Sequence, residues 1–273
     1  MKIEIKYFTS TGNTLWMAKV FKTYLERKGH TVLLSNAESD GMEYEDDTDM
    51  MGILYPVWGS NFPTPIEKEI LKIKPRNKKM FLIGNCALFT GDTGLYWKSI
   101  IEPNLHYDVF YVNHVKLPTN VNVRWFNFLK VLQGEKKTRL FDKAKPKLEK
   151  MCEDILEGKR KERGKNPFGI LGAKIQRHQA KSEYVFWAKK MTIDPDKCID
   201  CKLCEKLCPI NNIQVENNYL VKHGKFNENC ICCARCYNLC PTDAYLVGYE
   251  TRNTTRYRRY KGAYPNTATL ILS

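Results

Sequence analysis

Apolar positions along the first 115 residues switch between a period near two and a period near 3.6, the marks of strands and helices. Residues 2–8 alternate charged and apolar side chains and read as a strand. Residues 13–28 set Leu15, Met17, Ala18, Val20, Phe21, Tyr24 and Leu25 on one helical face, and Gly29 ends the helix. Apolar runs at Thr31–Leu34, Met50–Tyr55, Met80–Cys86 and Asp108–Val115 predict four more strands. Helical stretches at Ile66–Ile73, behind Pro63 and Pro65, and at Thr93–Ile101 fall between them. This alternation predicts an α/β fold, a doubly wound parallel sheet of five strands. One feature strains it: Lys2, Glu4 and Lys6 alternate along a strand that should be buried on both faces. Residues 40–49 read as a solvated acidic loop.

Beyond residue 115 the pattern changes. Residues 141–156 are amphipathic, with Phe141, Ala144, Leu148, Met151, Cys152 and Ile155 in register, and Pro146 predicts a kink or a later start. Residues 158–165 form a polar break, and 174–190 are helical again. No apolar run approaches the ~18 residues of a membrane span. The amino-terminal strand pattern is not a signal sequence, which predicts a cytoplasmic protein.

The chain of 273 residues is 43% hydrophobic, enough for more than one core, and carries a net charge of +14. The positive excess is concentrated in 116–190 and in the tail from 251, with near-neutral regions between. Such charge either steers an acidic redox partner or forms a solvated helix face. No DNA or RNA motif accompanies it, so a nucleic-acid partner is not expected. The histidines, His30, His106, His114, His178 and His223, form no motif, and no nucleophile or acid–base pair stands out; no catalytic residue is expected.

Cysteine changes the picture most. Eight of eleven cysteines fall into two copies of one run: Cys198, Cys201, Cys204, Cys208, and Cys230, Cys233, Cys236, Cys240, each followed by proline. A disulfide framework needs an oxidising compartment. Structural zinc uses paired C-x-x-C units and leaves the third and fourth cysteines unexplained. Cys232 reads as a spectator beside the second run, and Cys86 and Cys152 as buried small hydrophobes. The double run resembles the ligand pattern of bacterial two-cluster ferredoxins. That resemblance implies two [4Fe-4S] clusters, one held by Cys198, Cys201, Cys204 and Cys240, the other by Cys230, Cys233, Cys236 and Cys208.

A second motif follows the first strand: Thr9, Ser10, Thr11, Gly12, Asn13 and Thr14, opening directly into a helix. Hydroxyls, backbone amides and a helix N-terminus suit a phosphate dianion. Neither a GxGxxG run nor a Walker lysine is present. The bland alternative is an ordinary capped helix start. In its strand–turn–helix setting the motif resembles the FMN phosphate loop of flavodoxins, and the five-strand alternation resembles their fold. The chain as a whole resembles the flavodoxin–ferredoxin fusion proteins of anaerobes. The resemblance implies flavin-ring loops at Tyr55, Pro56, Val57, Trp58 and Gly59, and at Cys86, Ala87, Leu88, Phe89, Thr90, Gly91 and Asp92. Trp58 or Tyr55 would stack on the ring unless it is simply core. Leu117–Asn120 is a weaker flavin-facing candidate.

The expected organisation is a flavodoxin-like FMN domain at 1–157, a basic helical connector at 158–190, a small α+β two-cluster ferredoxin domain at 191–250 and a basic extension at 251–273. The expected function is electron transfer with a redox protein partner that presents an acidic docking face. The alternative is a ferredoxin-fed, FMN-dependent reductase of a small acceptor.

Overall fold

The computed structural model describes all residues except 125–127, 218, 221–229 and 273, so His223 lies outside the described residues. Contacts divide the chain into two units. The first holds residues 1–9, 13–117 and 138–178; the second holds 10–12, 118–137 and 179–273.

The first unit is built on a parallel sheet of six strands. These are β1 (Lys2–Tyr7), β2 (Thr31–Asn36), β3 (Met50–Pro56), β4 (Lys79–Cys86), β5 (Asp108–Lys116) and β6 (Lys161–Glu162), in the order β2-β1-β3-β4-β5-β6. The first five strands have the flavodoxin-like order, with its switch point between β1 and β3. The sixth is a departure from the five expected. Lys161 and Glu162, read as part of a polar break, pair with Tyr111 and Val112 at the sheet edge. A two-residue strand carries too little periodicity to be seen in sequence.

Helix α1 (Asn13–Arg27) covers one face, where Phe21 stacks on Phe81 with centroids 5.9 Å apart. Helix α4 (Gly134–Leu156) packs on α1 through Trp16 against Phe141 and through a Tyr24–Glu153 hydrogen bond of 2.7 Å. It begins seven residues before the expected 141 and runs unbroken through Pro146. The other face is covered by α2 (Thr64–Glu69) with its 3₁₀ continuation (Ile70–Lys72) and by α3 (Thr93–Leu105). Its core includes Met51, Ile53, Tyr55, Ile66, Leu82, Trp97 and Ile101.

The charged residues of β1 are reconciled by pairing. Glu4 and Lys6 are both buried and lie 2.9 Å apart. Glu4 also accepts from the Glu45 N–H at 2.9 Å and the Thr48 hydroxyl at 3.0 Å. The acidic loop is therefore not merely solvated: it caps a buried carboxylate, and Arg76 binds it through Asp46.

In the second unit β7 (Met191–Ile193) pairs antiparallel with β10 (Tyr245–Val247), and β8 (Val215–Glu216) with β9 (Tyr219–Leu220). Two short helices, α6 (Leu203–Lys206) and α7 (Arg235–Leu239), each carry the third cysteine of a run. Helix α5 (Pro167–Ala188) carries the chain from one unit to the other. Tail residues Arg252 and Arg259 are structural: Arg252 binds Asp194 and Asp196, and Arg259 is buried 3.5 Å over the Tyr237 ring. Helix α8 (Thr267–Leu272) ends the described chain. Among the described residues no helix is long and apolar enough to cross a membrane.

Candidate functional site

The two cysteine runs fold alike, residue for residue. Asp200, Lys202 and Asn211 have positive φ in the first run, and Cys232, Ala234 and Asp243 have it at the same offsets in the second. These left-handed residues turn the short loops so that successive sulfurs face inward. Cys232 is one of them, at the place that Asp200 holds in the first run. Its Sγ lies 3.3 Å from the Tyr184 carbonyl.

The cysteines line two cavities. Cys198, Cys201, Cys204 and Cys240 line one, open to solvent. Cys208, Cys230, Cys233 and Cys236 line the other, which is also open. Each cavity takes three cysteines from one run and the fourth from the other. Among the described residues no three His, Cys, Asp or Glu side chains are set to hold a single metal ion. The walls are apolar, with Ile193, Val215 and Ala244 on one cavity and Met191 and Ile213 on the other. Burial pushes the Cys204 and Cys233 thiols up to about 12. Metal binding must therefore displace protons. Backbone amides aim at sulfur: Asn212 N–H lies 3.1 Å from Cys208 Sγ, and Ala244 N–H 3.3 Å from Cys240 Sγ.

The β1–α1 turn is buried throughout: Thr9, Ser10, Thr11, Asn13 and Thr14 are each under 9% exposed. Gly12 takes a φ of +86°, which a side chain would strain. Asn85, at the end of β4, donates to Thr14 Oγ1 at 2.8 Å and to the Tyr55 carbonyl at 3.2 Å. Ser10 Oγ is buried without a hydrogen-bond partner. An orphaned hydroxyl in such a turn fits a phosphate oxygen.

The loop after β3 is a tight hairpin. Gly59 and Ser60 both have positive φ, and Trp58 and Asn61 exchange hydrogen bonds of 3.1 and 2.8 Å. Trp58 stands edge-on to Phe8 at 5.4 Å and is half-buried. Tyr55 differs: its ring is core, 4.4 Å from Phe62. Pro56 and Val57 are half-buried, and Val57 N–H donates to the Asn85 carbonyl at 2.9 Å.

The loop after β4 holds Cys86 and Ala87 half-buried or exposed, with Leu88 and Phe89 exposed. Thr90 Oγ1 lies 3.3 Å from His114 Nδ1, and Gly91 has positive φ. Burial, with Arg163 and Lys116 nearby, pushes His114 down to about 4. Burial likewise raises Cys86 to about 11. Asp92 is buried against Arg177 of α5. Sequence reasoning missed Arg177 and His114 because neither sits in a motif. Leu117–Asn120 straddles the two units, and Asn120 accepts from Asn238 at 2.8 Å within the second, which gives that segment a structural task.

Residues 191–214 match the family described as "4Fe-4S binding domain". Solved structures similar in part include an archaeal flavodoxin (16% identity, 57% of this chain and 97% of that one, TM-score 0.40). Others are two-electron reduced Megasphaera elsdenii flavodoxin (20%, 55% and 97%, TM-score 0.39) and oxidised Flavodoxin 2 from Bacillus cereus (17%, 58% and 97%, TM-score 0.40). No curated protein matches the chain. The chain joins a flavodoxin-like sheet to a 4Fe–4S ferredoxin region.

Proposed function

We propose that the chain is an electron-transfer iron–sulfur flavoprotein carrying FMN and two [4Fe-4S] clusters. The observation that carries this reading is the sorting of eight cysteines into two crossed sets of four around separate cavities. When bound, clusters exchange single electrons and FMN exchanges one or two.

Cys198, Cys201, Cys204 and Cys240 hold one cluster, and Cys208, Cys230, Cys233 and Cys236 the other. The amides of Asn212 and Ala244 withdraw charge from their sulfurs and favour the reduced level. Apolar walls limit water and tune the same balance. The FMN half rests on the β1–α1 turn, where Ser10 offers an unpartnered hydroxyl. Trp58 supplies a planar surface, and the 86–92 loop supplies backbone along the ring edge. Thiolate chemistry on this scale suits a reducing, cytoplasmic setting. The basic excess suits a redox partner with an acidic docking face.

Leu88 at 60% and Phe89 at 43% exposure favour a second reading, reduction of a small apolar acceptor such as a quinone. Turnover of such a compound without a protein acceptor separates the two.

An anaerobic reductive titration tests the proposal. About four electron equivalents per chain are expected, two from single-electron clusters and two from FMN. Uptake of two or fewer contradicts it.

A further inference from the structure

Large apolar side chains from a helix and a loop stand exposed side by side on the first unit. Phe168, Leu171 and Ile175 lie at i, i+3 and i+7 of α5 and so share one helical face. Phe168 is 86% exposed, and Leu171 and Ile175 are each more than half exposed. Asn166 sets where that face begins: its Oδ1 accepts from the Phe168 N–H at 2.9 Å and the Gly169 N–H at 3.2 Å. The loop after β4 adds Leu88 and Phe89, both exposed. Glycines bring this loop against the helix. A Cβ at Gly172 would stand 3.5 Å from Phe89 Cζ, and one at Gly91 would collide with Ala173 Cβ.

The rim of this patch is cationic and belongs to the same unit. Lys116, Arg163 and Lys174 are exposed and meet no carboxylate among the described residues. Arg163 is held beside the loop. Its N–H donates to the Val112 carbonyl at 3.1 Å, and a Cβ on the next residue, Gly164, would stand 3.0 Å from the Gly91 carbonyl oxygen. Lys116 ends β5, in register with Cys86 where the loop leaves β4. Lys174 precedes Ile175 on α5. From Arg163 to Ser182 the sequence holds no acidic residue. Asp92 is clasped by Arg177, and Glu162 is paired with Lys165 at 2.6 Å and Lys98 at 3.5 Å.

Contiguous exposed apolar patches mark interaction sites. Side chains projecting outward from a helix face and a loop tip suit insertion into a soft apolar layer. Cations on long stems, set on separate elements and tied to no carboxylate, match a plane of negative charge. Interfacial binding grows with the apolar area inserted and with attraction to anionic lipid, and this patch offers both. An acidic protein surface would satisfy the cations, but it would need a fitted pocket for Phe168. We propose that this patch docks on an anionic lipid bilayer. Leu88, Phe89, Phe168, Leu171 and Ile175 enter the headgroup boundary, and Lys116, Arg163 and Lys174 meet lipid phosphates. The attachment is peripheral and needs no helix to cross. The inference does not rest on the flavin or cluster reading.

The test is co-sedimentation of the full chain, purified anaerobically, with vesicles of phosphatidylcholine alone and of an equal mixture of phosphatidylcholine and phosphatidylglycerol. The parent should bind the mixed vesicles and not the neutral ones, and added salt should release it. The double change Phe168→Ser/Leu171→Ser should weaken binding by about 10-fold or more, because two apolar side chains are withdrawn from lipid. Lys174→Gln should weaken it by about fivefold, the effect of one cation near an anionic surface. All three positions are exposed, and a melting temperature equal to the parent's shows that the fold is kept. Absence of parent binding to the mixed vesicles overturns the inference and leaves the patch to an acidic protein partner. Equal binding to neutral vesicles also overturns it. So does undiminished binding of the double variant, which would put the contact elsewhere on this basic chain.

Discussion

Arg177 clasps Asp92 with both terminal nitrogens, Nη2 lying 3.2 Å from Oδ2, while Nη1 also donates to the Ser60 carbonyl at 3.0 Å. The guanidinium rests 4.2 Å over the Tyr96 ring. One side chain of α5 thus ties together the loops after β3 and β4, the two that would flank a flavin ring. Asp92 is buried, so losing its partner leaves a carboxylate with little solvent to replace it.

Arg177→Met should therefore loosen both loops. We expect a destabilisation of about 1.5–3 kcal/mol, the range for hydrogen bonds to charged groups, and faster thermal release of FMN. Flavin fluorescence on a temperature ramp reads this; an unchanged release temperature would show that the clasp holds neither loop.

Lys6→Met should be more damaging than the double change Glu4→Gln/Lys6→Met. Removing one partner of a buried pair costs about 3–5 kcal/mol, whereas neutralising both removes the stranded charge. Thermal unfolding of the parent, Glu4→Gln, Lys6→Met and the double variant gives the coupling, and single losses that simply add up to the double's would mean the pair is not linked.

His114 provides a pH signature. Its folded-state pKa, about 4, lies below its ordinary value, so the unfolded chain binds the proton more readily. Its contribution to stability is present above about pH 6.5 and is lost as pH falls toward 4. His114→Asn should flatten the fall in melting temperature over that window. A slope identical to the parent's would show that His114 is not held neutral.

The crossed cysteine sets predict a crossed phenotype. Cys240→Ser should perturb the same cluster as Cys198→Ser, and Cys208→Ser the same one as Cys230→Ser. Paramagnetic resonance of the reduced variants distinguishes the pairs. If Cys240→Ser instead matched Cys230→Ser, each run would serve its own cluster and the cavity assignment would be wrong.

Strong periodicity made the sheet legible. The strands at 2–8, 50–55, 80–86 and 108–115 lie within a residue or so of β1, β3, β4 and β5. The charged alternation of Lys2, Glu4 and Lys6 was readable but not interpretable, because the acidic loop that receives Glu4 is distant in sequence. β6 was too short to show a period. The start of α4 was hidden by the stretch 134–139, which carries no apolar side chain before Leu140 and Phe141. In the site, cysteine spacing carried its own geometry, since positive φ recurs at matching offsets. Arg177 and His114 were not legible. Each meets its partner across a long sequence separation that only the fold closes.

Anaerobic purification followed by iron, sulfide and FMN quantitation tests the central claim most directly. About eight irons and one FMN per chain are predicted from two four-iron clusters and one phosphate turn. Four or fewer irons would contradict the paired cavities, and eight irons without flavin would contradict the FMN half of the account.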